Sequence, residues 1–197
     1  MRFNTSTRIL HFFLVVTVVY LLFSSEFMMA PEPGKMIGFR TILFTLHMVF
    51  FGWMAFLIST AYAMILYQDK DRWARMAPWF PACRRTAFFK SARREISGIF
   101  RGSLVPPEEK GALASATHGL VIFLLIAQGS AGAYVMLGVR SDGTMRPDTL
   151  LALDFHAFIG KLIWIFLIGH VCMFIFHLMF GHRKILDVFQ RVSIPWK

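Results

Sequence analysis

Acidic residues are scarce in this chain: 11 Asp and Glu stand against 21 Lys and Arg, for a formal net charge of +10. Charged residues of both signs make up only 16% of the 197 residues, whereas a soluble domain carries about 25%. With 56% hydrophobic residues, this shortage argues against a compact soluble enzyme. The apolar content excludes disorder, which requires a chain poor in apolar residues. Cysteine is scarce too: Cys83 and Cys172 form no spacing motif, which excludes a disulfide framework. The sequence contains no internal repeat, no low-complexity tract and no phosphate-binding glycine loop. A basic chain points to nucleic acid only where the charge covers a soluble surface. Here 22 Phe and 12 Met, with a mean hydropathy of +0.57, indicate contact with lipid and a cofactor instead. The expectation is an integral membrane protein without a nucleic-acid partner.

Four apolar runs are present, at about 9–30, 41–67, 111–139 and 151–180. The second and third contain no Asp, Glu, Lys or Arg, and the fourth contains only Asp154 and Lys161. A membrane helix needs about 20 apolar residues, so each run is long enough, and the last three have length to spare for tilt. Arg2 and Arg8 precede the first run, but Ser24-Ser25-Glu26-Phe27 is a poor cleavage site. An uncleaved first span is therefore expected. The fold expected is all-α, a four-helix membrane bundle forming a single domain over residues 1–197.

The basic residues set its orientation. Arg2 and Arg8 precede span one, ten Lys and Arg lie in the 68–110 loop, and Arg183, Lys184, Arg191 and Lys197 follow span four. That places 16 of the 21 basic residues on one side. The other side has Lys35, Arg40, Arg140 and Arg146, with Lys161 inside span four. Both termini and the basic loop are expected to be cytoplasmic, in a multi-pass protein of the bacterial inner membrane. Within the loop, Phe88, Phe89, Ala92, Ile96, Ile99 and Phe100 recur at helical spacing, with Lys90, Arg93, Arg94 and Arg101 mostly on the other face. This predicts an amphipathic interfacial helix on anionic lipid; the alternative is a docking surface for a cytoplasmic partner. Pro106-Pro107 then ends the loop.

Six of the seven histidines fall within the spans: His11, His47, His118, His156, His170 and His177, with His182 just beyond. Ionisable residues in a membrane are costly and mark functional sites, although a single one is as often a helix–helix hydrogen bond. Proton relays need carboxylate partners, and only Glu26 and Asp154 are available, both near the outer ends. Imidazoles alone point to metal or haem. His156 and His170 are 14 residues apart. At about 100° and 1.5 Å per residue, that puts them on one helix face, roughly 21 Å apart along the axis. Such spacing suits two stacked haems and not one binuclear centre, whose ions would be about 4 Å apart. By depth His47 pairs with His156. At the other end counting leaves His11 and His118 both open as partners for His170, and His177 fits either of them equally well.

Arg8-Ile9-Leu10-His11, Leu46-His47 followed by Phe51-Gly52, and His156 through Gly169-His170 resemble the prokaryotic di-haem cytochrome b561 superfamily. It includes the cytochrome b (gamma) subunits of membrane formate dehydrogenases and nickel–iron hydrogenases. The 14-residue gap is the most specific element. The third span, from His118-Gly119-Leu120 to Gly132, is closer to the stand-alone b561 branch, whereas Pro106-Pro107-Glu108-Glu109-Lys110 and the basic loop resemble the gamma-subunit branch. The similarity covers all four spans, and the loops match poorly.

The resemblance implies His47–His156 as axial ligands of an outer haem b and His11–His170 as those of an inner one. It leaves His118 as a quinone contact, or as a partner of a propionate or a neighbouring helix. Gly52, Gly132, Gly160 and Gly169 would admit a flat macrocycle or close helix packing. Arg8, Arg40 and Lys161 would pair propionates or, for the two arginines, anchor the interface. Bis-histidine iron has no open position and carries electrons only. The implied role is a di-haem cytochrome b subunit. It would pass electrons between the iron–sulfur and catalytic subunits of a membrane oxidoreductase and a quinone, menaquinone or ubiquinone. The alternatives are a stand-alone b561-type quinone oxidoreductase and a haem-free anchor or transporter.

Overall fold

The computed structural model describes residues 5–29, 38–68, 77, 82–104, 112–139 and 144–188. Arg2, Ala30, Lys35, Lys70, Arg72, Arg75, Pro106 to Lys110, Arg140, Arg191 and Lys197, used in the sequence reading, lie outside these residues. Helix α1 spans Thr5–Phe27. The second span is α2 (Phe39–Thr45), a π-helical turn (Leu46–Phe51) and α3 (Gly52–Gln68) in continuous succession. Helix α4 is Ala82–Arg101, α5 is Ala112–Gly138 and α6 is Pro147–Met179, followed by a 3-10 turn at Arg183–Val188.

Among the described residues, four helical stretches are long and apolar enough to cross a membrane: Ser6–Phe27, Phe39–Gln68, Leu113–Gly138 and Pro147–Met179, with mean hydropathies of 1.9, 2.0, 2.0 and 2.3. The chain is an all-α, multi-pass membrane protein. Its spans are apolar on nearly every face, as helices are that meet lipid as well as one another. Several hydroxyls inside them donate to their own helix, among them Thr17 to the Phe13 carbonyl at 2.6 Å and Thr60 to the Phe56 carbonyl at 2.8 Å. In hydrocarbon no water is available to do this.

Helix α6 begins four residues before the apolar run expected from Leu151. Pro147 suits the first helical position because its missing N–H would have no partner there. Asp148 complements the positive end of the helix dipole. Its carboxylate accepts from the Tyr134 hydroxyl at 2.6 Å and lies 3.2 Å from Arg146. At the other terminus Gly181, at φ 80°, takes the left-handed position that ends the helix, and the His182 N–H returns to the His177 carbonyl at 2.9 Å.

The chain divides into two compact units, and every span contributes to both. One comprises residues 13–61 and 122–165. Its interior is built from small and branched residues, among them Ala55, Ser59, Ile122, Ala131, Val135, Ile159 and Ile163. Gly129 packs so tightly on Phe56 that a Cβ there would stand 2.7 Å from the ring, and Gly138 packs equally closely on the fully buried Thr149. Small residues of this kind let membrane helices approach. Tyr20 stacks on Phe51 at 3.9 Å, and Phe23 meets Trp164 edge-on at 5.2 Å. The other unit comprises residues 1–12, 62–121 and 166–197, with Ala77, Leu104, Ala116 and Val121 buried.

Candidate functional site

In the unit formed by residues 13–61 and 122–165, His47 and His156 lie within electrostatic reach of each other. The backbone around His47 departs from the α-helix. Its carbonyl accepts from the Gly52 N–H, an i to i+5 bond that closes the π turn. A Cβ on Gly52 would stand 2.8 Å from that carbonyl oxygen. Gly52 therefore serves the turn that carries His47, which neither use expected from sequence had included. Single π turns in α-helices recur at functional sites.

Each imidazole in this unit is held through Nδ1. The Ser24 hydroxyl donates to the Leu21 carbonyl at 3.2 Å, which leaves its oxygen to accept the His47 Nδ1–H at 2.9 Å. Both Ser24 and His47 are buried. His156 Nδ1–H donates to the Gln128 backbone carbonyl at 3.0 Å. Gly132, one turn beyond Gln128 on α5, makes this approach possible: a Cβ there would lie 3.1 Å from Cε1 and 3.4 Å from Nδ1 of His156. With Nδ1 committed as a donor, Nε2 keeps its lone pair, and that is the tautomer a histidine metal ligand requires.

The unit formed by residues 1–12, 62–121 and 166–197 holds a second histidine group: His11, His118 and His170 interact electrostatically with one another. The His118 and His170 rings meet edge to face, with centroids 5.4 Å apart. Phe166 stacks on His170, also at 5.4 Å and 15° from parallel. His118 Nδ1–H donates to the Ala114 carbonyl of its own helix at 2.6 Å. The structure thus gathers both partners that counting had left open for His170.

The remaining expected residues divide clearly. His177 lies with His182, Nδ1 to Nδ1 at 3.0 Å, across the turn at Gly181. Arg40 donates from Nε to the Phe27 carbonyl at 2.9 Å, and its own carbonyl accepts from the Met29 N–H at 3.2 Å. It ties α1 to α2. The Gln128 side chain lies beside Gly160 with Oε1 buried and without a partner, and the Tyr20 hydroxyl is likewise buried without one. Gly169 faces open space, and Lys161 is exposed. Sequence reasoning missed Ser24 and the Gln128 carbonyl. A serine in a span carries no signal that separates a back-bonded hydroxyl from one supporting a histidine, and a backbone acceptor carries none at all.

Among the described residues no group of three or more His, Cys, Asp or Glu converges to hold a bare metal ion. Paired neutral imidazoles suit a metal whose other positions are filled by its own prosthetic group, as in a haem with two axial histidines. The donor set and the Gly132 cradle fit that group. Four apolar spans carrying histidines anchored through Nδ1, His47 buried and His156 half-buried, are compatible with a membrane haem protein. The profile of the prokaryotic cytochrome b561 family matches residues 2–190, essentially the whole chain, and the chain belongs to that family. It is a membrane cytochrome b of electron transfer, and its prosthetic group is haem b. Neither a curated protein nor a solved structure matches it.

Proposed function

We propose that the chain is a di-haem cytochrome b subunit that carries electrons between an iron–sulfur oxidoreductase partner and membrane quinone. The observation that supports this reading is the presence of one histidine group in each compact unit, His47 with His156 and His11 with His118 and His170, the first two anchored through Nδ1. His47 and His156 hold one haem b through Nε2, and His11 and His170 hold the other. Haem b bound in this way supplies a reversible one-electron couple and offers no position to substrate.

The chain's own residues set the conditions for that couple. Ser24 and the Gln128 carbonyl fix the tautomer and the ring planes of His47 and His156, and they raise the basicity of the coordinating nitrogens. Phe166 holds the plane of His170. His118, edge-on to His170, contacts quinone, menaquinone or ubiquinone, on the side of the bilayer that the basic residues assign to the cytoplasm. Both termini lie on that side, in the bacterial inner membrane.

The test is purification of the tagged full chain from its native membranes under mild detergent. Stable, stoichiometric recovery of an iron–sulfur subunit together with a catalytic subunit supports the reading. A cytochrome that is recovered alone and reduced directly by a small one-electron donor overturns it.

A further inference from the structure

Helix α4 takes no part in either histidine group, and it carries six Lys and Arg against a single acid, Glu95, in 20 residues. Its apolar residues share one broad arc, as the sequence pattern predicts, and the structure covers that arc unevenly. Phe88 and Ile99 are half-buried, and Gly98 is buried against Leu104. Phe89, Ile96 and Phe100, at the other edge of the arc, are 66%, 57% and 87% exposed. At about 100° per residue those three lie within roughly 40° of one another. The helix ends in a fixed turn, with Gly102 at φ 64° and the Ser103 N–H bonded to the Gly98 carbonyl at 2.9 Å. Arg101 is therefore held at the end of the stripe.

Two adjoining patches lie on this outward face. An apolar one is formed by Phe89, Ala92, Ile96 and Phe100. The other carries five cations: Arg85, Lys90, Arg93, Arg94 and Arg101. Phe89, Arg93, Ser97 and Arg101 border both. We propose that this face of α4 binds an anionic phospholipid of the membrane that the chain spans. The phosphate sits among Lys90, Arg93 and Arg101, and an acyl chain lies along Phe89, Ile96 and Phe100.

Charge complementarity and the membrane setting choose this occupant. Basic side chains near a bilayer surface attract anionic lipid, and aromatic residues beside them enter the acyl boundary. A bilayer supplies both anionic headgroups for the cations and an acyl boundary for the 87% exposed Phe100. The inference is independent of the haem assignments, because no residue of α4 belongs to them.

The test is native mass spectrometry of the haem-loaded full chain from detergent, titrated in turn with phosphatidylglycerol, phosphatidylcholine, inorganic phosphate and polyglutamate. Phosphatidylglycerol is expected to bind in preference to the other three. The double variant Arg93→Gln, Arg101→Gln should weaken it on the order of tenfold to thirtyfold, from about 1 kcal/mol per basic residue. Phe100→Ser, at a position that packing does not use, should weaken it with the absorption spectrum unchanged. Equal binding of phosphatidylcholine, equal binding of phosphate alone, preference for polyglutamate, or unaltered affinity in Phe100→Ser would each overturn the proposal.

Discussion

His156 reaches the Gln128 carbonyl at 3.0 Å across a position, Gly132, where a Cβ would stand 3.1 Å from its ring. The bond and the glycine are one device: the missing side chain opens the path, and the carbonyl orients the imidazole. Gly132→Val is expected to displace the ring and eliminate one of two haems, leaving the helical content intact. Gly132→Ala asks the ring to yield by only a few tenths of an ångström and should retain both haems with reduced occupancy at this site. Haem content by pyridine haemochrome, alongside far-ultraviolet circular dichroism, checks the pair.

Ser24 supports His47, the other histidine of the same group. Ser24→Ala leaves a buried Nδ1–H without its acceptor, at a cost of about 1–3 kcal/mol. The weakened hydrogen bond also lowers the basicity of the coordinating nitrogen. A poorer donor stabilises ferric iron less, so one midpoint potential should rise while the other stays fixed. Potentiometric titration of the visible spectrum reads both in one experiment.

Gly52 and Gly169 form a matched contrast. A Cβ on Gly52 would collide with the His47 carbonyl that closes the π turn, and one on Gly169 would meet nothing within 4 Å. Gly52→Ala should therefore destabilise the protein by about 1–3 kcal/mol and deplete the haem proposed for His47. Gly169→Ala, whose Cβ meets no protein atom, should leave stability unchanged. Thermal unfolding followed at the Soret band separates them.

His177 and His182 bond to each other through Nδ1 and stand outside both proposed ligand pairs. Replacing either with alanine should leave two haems and unchanged midpoint potentials. His118→Ala should likewise keep both haems and slow quinone turnover. Loss of a haem in His118→Ala would instead pair His118 with His170.

The four spans were legible because charge is nearly absent from them, and a charge-free run of sufficient length has few other solutions. Their ends were less so: Pro147 and Asp148 belong to α6 for reasons of capping and dipole, which apolar content does not register. The histidine groupings were partly legible. Helical depth brought His47 to His156, whereas His11 and His118 could not be separated by counting because the fold gathers both at His170. The π turn was not legible at all, since it depends on one Cβ missing at Gly52, five residues from the carbonyl it accommodates. Nor was the uneven burial of the α4 apolar arc, because periodicity records that Phe88 and Phe89 are apolar and not which of them has a neighbour.

The central claim is that two haems are held by two separate histidine pairs. Haem b per polypeptide, measured by pyridine haemochrome in the purified wild type and in His156→Ala, tests it most directly. The account predicts two haems in the wild type and one in the variant, with the surviving haem keeping its potential. A wild type with a single haem, or a variant that retains two, would contradict it.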